Sequence, residues 1–279
     1  MKTLNDEKMS IKQNKYANID IDEMLQGDKK VVAFLGASKS GTSFIVNNIA
    51  AMVSNRGINV ALLDATQNKG AYYIYTKNQE RLRKIAFSSI ENLANGVTDG
   101  IKVNNNLTVY TTMPGENKYM NEVEPILETL IKNHSLILID CDFTTPENYF
   151  KYAQEIYLVQ SMDVLSIQPL TEALLKLEER KILDESKLRV IINKFVEVES
   201  ITIKDILGGV AFYNDPNMYY MKQLFDKNMV KYLTIPFREE VYEIYIEQVA
   251  NCNIKTQDYD DEILAIFKQL SRNIFPFQI

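Results

Sequence analysis

Eight residues near the start of the chain have the types and spacing to hold a phosphate group. Gly36, Ala37, Ser38, Lys39, Ser40, Gly41, Thr42 and Ser43 follow the apolar run Val31-Val-Ala-Phe-Leu35 and lead into a helical pattern. Glycines spaced this way let the backbone turn tightly and present N–H groups to an anion at the positive end of a helix. The pattern is G-x-x-x-x-G-K-[ST] with one change, since Thr42 stands where the lysine is expected. Ser43 then places a hydroxyl where a P-loop coordinates Mg²⁺. The missing lysine takes a cation away from the β/γ-phosphate region. The same glycines would also serve a bare strand-to-helix turn. Lys39 has two readings, swung inward to restore the charge or facing water. A G-x-G-x-x-G fingerprint is absent from this turn, which counts against a nicotinamide-dependent enzyme.

Other apolar runs also end in residues that do chemistry. Asp64 follows Val60-Ala-Leu-Leu63, and Asp140 follows Leu136-Ile-Leu-Ile139. Two acids at strand tips beside a phosphate loop can hold the hydration shell of Mg²⁺ and orient a water. Either one alone could cap a helix or form a turn. Asn193-Lys194 ends another run, and Pro236-Phe237 the last. A zinc site built from Cys and His is not expected, because the chain has one histidine, His134, and two distant cysteines, Cys141 and Cys252. Cys141 has no base in view and reads as a small buried neighbour of Asp140. His134 reads as a helix-end residue facing carbonyls.

These residues need a scaffold that brings strand ends to one rim. Apolar runs at 31–35, 60–63, 107–110, 136–139, 156–159, 190–192 and 232–235 alternate with helical stretches. The helices are expected from 42 to about 56 and near 121–133, 163–183, 218–228 and 239–250. Alternation of this kind predicts an α/β fold, a doubly wound and mainly parallel sheet with helices on both faces and the first strand central. In such a sheet ligands lie beyond the carboxyl ends of the strands. Residues 1–28 read as a polar leader, with a short helix hinted at 19–25, and 29–279 as a single nucleotide-binding domain. The 279 residues, 46% hydrophobic and 24% charged, suffice for a large core without disulfides or metal. No signal core or long apolar span is present, so the expectation is a cytoplasmic protein.

Taken in order, the loop 36–43, Leu62-Leu63-Asp64, Leu138-Ile139-Asp140, Val190-Ile191-Ile192-Asn193-Lys194 and Ile235-Pro236-Phe237-Arg238 followed by Val241 resemble the motif series of the MinD/ParA group of P-loop proteins over 30–250. The resemblance implies ATP and Mg²⁺ as ligands, with adenine between Asn193 and the Pro236-Phe237 turn. It implies a homodimer and a protein partner in a pilus, secretion or partition machine, to which the chain could be recruited at the membrane face or a cell pole. The signature lysine of the group is Ala37 here, the loop lysine is Thr42, and Thr66 replaces the second acid. A member lacking both lysines resembles the atypical branch that includes TadZ and CpaE. That implies a localisation scaffold that keeps nucleotide binding and hydrolyses slowly at most.

An active partition ATPase that binds DNA non-specifically is the alternative. The net charge of −6 and the five scattered cations of 231–279 count against it. A tyrosine kinase of the same group would end in a tyrosine-rich tail, yet no tyrosine follows Tyr259. The apolar stripe Ile263, Leu264, Phe267, Leu270 and Ile274 could form a membrane-binding helix. Its polar face is mixed in charge, so a helix closing the core is the better expectation.

Overall fold

The computed structural model describes residues 20–25, 27–208 and 231–276. The polar leader and the helix expected near 218–228 fall wholly or largely outside the described residues. A short helix, α1 (Ile21–Met24), precedes the first strand, β1 (Lys30–Gly36), which leads through the glycine-rich loop into α2 (Thr42–Ser54). Then follow β2 (Val60–Asp64), α3 (Gly70–Thr76), α4 (Glu80–Ala94), β3 (Ile101–Asn104) and β4 (Leu107–Tyr110). The middle of the chain forms α5 (Val123–Asn133), β5 (Leu136–Cys141), α6 (Asn148–Tyr152), β6 (Glu155–Gln160) and α7 (Ile167–Glu179). The last described elements are β7 (Leu188–Phe195), α8 (Ile203–Gly208), β8 (Tyr232–Pro236), α9 (Glu239–Ala250) and α10 (Asp261–Ile274).

The strands form one sheet in the order β3-β4-β2-β5-β1-β6-β7-β8. Every pairing is parallel except β3 with β4. The first strand is central, between β5 and β6, as its unbroken apolar run requires. Alternation along β1 divides the core. Val31, Ala33 and Leu35 join Ile126, Leu130 and Leu174 on one face, and Val32 and Phe34 join Ile45, Ile49 and Phe267 on the other.

Several elements depart from the sequence expectations. The edge strand β3 and the helices α3 and α4 fill a stretch for which no elements were assigned. The helix at 167–179 is shorter than the 163–183 expected. The last helix does close the core: Ile263, Phe267, Leu270 and Ile274 are buried. Asp260 caps it by accepting a hydrogen bond from the Ile263 N–H at 2.9 Å. Among the described residues no helix is long and apolar enough to cross a membrane.

Candidate functional site

The carboxyl ends of β1, β2, β5, β7 and β8 bring the sequence-selected residues to one rim. Gly41 takes φ = +91°, which turns the loop into α2. A Cβ there would lie 2.1 Å from the Asn193 amide nitrogen, so only glycine fits. The Asn193 Nδ2 donates to the Ser40 carbonyl at 2.8 Å, and the Lys194 Nζ donates to the Lys39 carbonyl at 3.0 Å. The end of β7 therefore clamps the loop. Ala37, Ser40 and Thr42 are buried, and Ser38 and Lys39 are exposed. Lys39, although exposed, lines the cavity beside the loop.

Beside the loop lies a cavity of about 440 Å³ lined by Lys39, Gly41, Phe44, Asn193, Pro236, Phe237 and Tyr242, among others. Asn193, Pro236 and Phe237, placed together by the resemblance, thus share one cavity with the loop. Phe237 and Tyr242 are half exposed there, offering rings on which a flat heterocycle could stack. One amide group of Asn193 is already committed to Ser40, so holding the loop is a role the sequence did not reveal. A larger cavity of about 600 Å³, lined by Phe143, Thr145, Pro169 and Lys176, lies beyond β5.

The two acids are neighbours, since Asp64 of β2 is in register with Asp140 of β5. Their surroundings differ. Asp64 Oδ1 accepts from the Thr66 N–H (3.1 Å) and hydroxyl (2.6 Å), and its Oδ2 accepts from the Ala71 N–H (2.9 Å) and the Thr111 hydroxyl (3.3 Å). Those donors occupy the acceptor positions of the carboxylate. In this structure the Asp64 carboxylate anchors the turn into α3. Asp140 Oδ2 accepts from the Ser43 hydroxyl at 2.6 Å, while its Oδ1 is buried without a hydrogen-bond partner. Burial, and then the Asp64 carboxylate, raise the Asp140 carboxyl well above the usual carboxylate range. An acid in that state asks for a cation.

Sequence reasoning missed Lys69, a fully buried lysine just before α3. Its Nζ donates to the Asp64 carbonyl at 3.3 Å. Burial lowers its pKa, and Asp64, Asp142 and Asp140 act in the opposite direction. His134 caps α5 as expected, but its ring meets side chains, Tyr110 Oη at 2.9 Å and Asn59 Oδ1 at 3.0 Å. Cys141 is buried and its thiol is pushed up by burial, which leaves it inert.

No family model matches this sequence, and no curated protein does. Solved structures do match in shape. MinD in the MinC:MinD complex of Aquifex aeolicus has a TM-score of 0.60 at 15% identity, covering 90% of this chain and 97% of that one. MinD with Mg-ADP from Pyrococcus horikoshii OT3 gives 0.60 at 12%, covering 88% and 96%. A ParA family ATPase from Chlorobium tepidum TLS gives 0.62 at 15%, covering 87% and 98%. Across nearly its whole length, the chain has the fold of the MinD/ParA P-loop proteins.

Proposed function

We propose that this chain is a MinD/ParA-like protein that binds ATP with Mg²⁺ and acts as a nucleotide-dependent scaffold, turning over slowly. One observation carries the reading: a clamped loop with a left-handed glycine borders an aromatic-lined cavity, and its Ser43 bonds a buried aspartate whose second oxygen is unpartnered. Loop N–H groups would cradle phosphates, and the base would lie against Pro236 and Phe237. Ser43 and Asp140 would hold Mg²⁺, which supplies charge neutralisation at the phosphates when bound. Among the described residues no group of three His, Cys, Asp or Glu side chains forms a metal cage. That suits Mg²⁺, which commonly takes one or two protein oxygens plus phosphates and waters. Relatives of the same shape carry Mg-ADP or a protein partner, MinC, which supports the ligand class and a role in partner docking.

With Ala37 and Thr42 at the lysine positions, the loop favours the ground-state phosphates more than the charge that develops in transfer. Affinity is therefore retained better than turnover. A second copy as dimer partner and a pilus- or secretion-type machine as the larger assembly complete the reading. Calorimetric titration with ATP and Mg²⁺ tests it: saturable heat is expected, and no heat or thermal shift at millimolar nucleotide refutes it. Turnover of wild type should lie well below the ordinary range of about 1–10³ per second, and Thr42→Lys should raise it.

A further inference from the structure

The loop lacks its lysine, yet the site beneath it contains a buried one. Lys69 is 0% exposed. A buried ammonium carries three donors, and among the described residues its only side-chain hydrogen bond is the 3.3 Å contact with the Asp64 carbonyl. An ammonium this poorly satisfied is costly to bury unless negative charge surrounds it. That charge is present: Asp64 and Asp140 sit in register at adjacent strand tips, and Asp142 follows two residues later.

The segment holding Lys69 is tied to the tip of β5 on one side and to the phosphate loop on the other. Gln67 N–H donates to Asp142 Oδ2 at 2.6 Å, and Ala65 N–H donates to the Asp140 carbonyl at 2.9 Å. Just after Lys69, the Tyr75 hydroxyl of α3 donates to Asn47 Oδ1 (2.7 Å), and Asn47 Nδ2 donates to the Ser43 carbonyl (2.6 Å). Lys69 itself takes a left-handed backbone, φ = +49°, a conformation a non-glycine residue holds only where its surroundings impose it.

We infer that Lys69 is the resident cation of the nucleotide site, offsetting the Asp64–Asp140–Asp142 charge beneath the loop so that phosphates bind without a loop lysine and with little dependence on Mg²⁺. The inference rests on the nucleotide-binding reading above. Lys69 acts through the acids and touches no phosphate, which makes it a positioning residue.

Binding of a fluorescent ATP analogue to the full chain, in Mg²⁺ and in EDTA, tests this. Wild type should lose less than about tenfold in affinity on moving to EDTA. Lys69→Met should lose about tenfold or more in EDTA, with Mg²⁺ restoring most of it. Asp142→Asn alone, which needs no change at Lys69, should bind more tightly than wild type in EDTA. Lys69→Met with Asp142→Asn should return to the wild-type value. Equal affinities for wild type and Lys69→Met in EDTA would overturn the inference alone, as would an Asp142→Asn protein that binds no better than wild type. Failure of wild type to bind in either buffer overturns the nucleotide reading and this inference with it. If Lys69→Met fails to fold, the Asp142→Asn arm still decides.

Discussion

The tips of β2 and β5 carry the same residue type, side by side in the sheet, yet the two aspartates differ in how they are hydrogen-bonded. Asp64 accepts four hydrogen bonds from Thr66, Ala71 and Thr111. Asp140 accepts one, from Ser43, and leaves an oxygen unpaired. A buried polar group that is fully satisfied needs no further partner, whereas one left short calls for an explanation, which a bound cation would supply at Asp140. Residue type and position at a strand end do not separate the two cases, but their donors do.

Asp64→Ala should cost about 3–5 kcal/mol of folding stability, because it strands buried donors and the Lys69 ammonium. Chemical denaturation monitored by circular dichroism measures this, and a cost below about 1 kcal/mol would show that Asp64 anchors nothing. The opposite end of β5 gives the next effect. His134 has a pKa lowered to about 4, by burial first and then by Lys29. Its unfolded value is about 6.5, so the unfolded chain binds the extra proton between the two values. The stability it contributes is whole above pH 6.5 and falls as pH drops toward 4. The difference between wild type and His134→Gln should therefore change by about 2–3 kcal/mol from pH 7 to pH 4. Parallel profiles would mean the imidazole is not buried neutral.

Gly41→Ala should cost about 2 kcal/mol through its left-handed backbone and its clash with Asn193. Nucleotide affinity should drop with it, read by titration at a temperature where the variant is folded. Asp140→Asn should have the smallest effect on folding, under about 1 kcal/mol, since the carboxyl makes a single hydrogen bond that the amide oxygen can still accept. Its effect should appear in the metal-dependent part of nucleotide affinity. A stability loss matching that of Asp64→Ala would erase the distinction between the tips.

Much of this was legible in the residues. The runs 31–35, 60–63 and 136–139 are buried strands because two-sided burial demands continuous apolarity, and the acids ending the last two follow from that. The glycine pair fixed the loop. Strand β3 was not legible, because only Ile101 of its four residues faces inward and an edge strand needs no alternation. Helix α3 begins after Lys69 and ends at Lys77, both left-handed and without a capping side chain, so no start or stop signal marked it. Helix α4 did carry a signal, with Ala86, Ile90 and Leu93 on one face. Lys69 was hidden for another reason: a lysine in a polar stretch reads as solvated, and only the folded acids around it reveal the burial.

The position of β1 has a consequence for how the chain is made. Its partners are β5, where Lys30 meets Leu136, and β6, where Val32 meets Glu155. At roughly 5–20 residues per second of synthesis, the strand that carries the glycine loop leaves the ribosome many seconds before either neighbour exists. Through that interval Val31 to Leu35 is an unpaired apolar edge, the kind of segment that chaperones shield. The clamp on the loop comes later still, because Asn193 is 153 positions beyond Ser40. The candidate site is begun first and finished among the last.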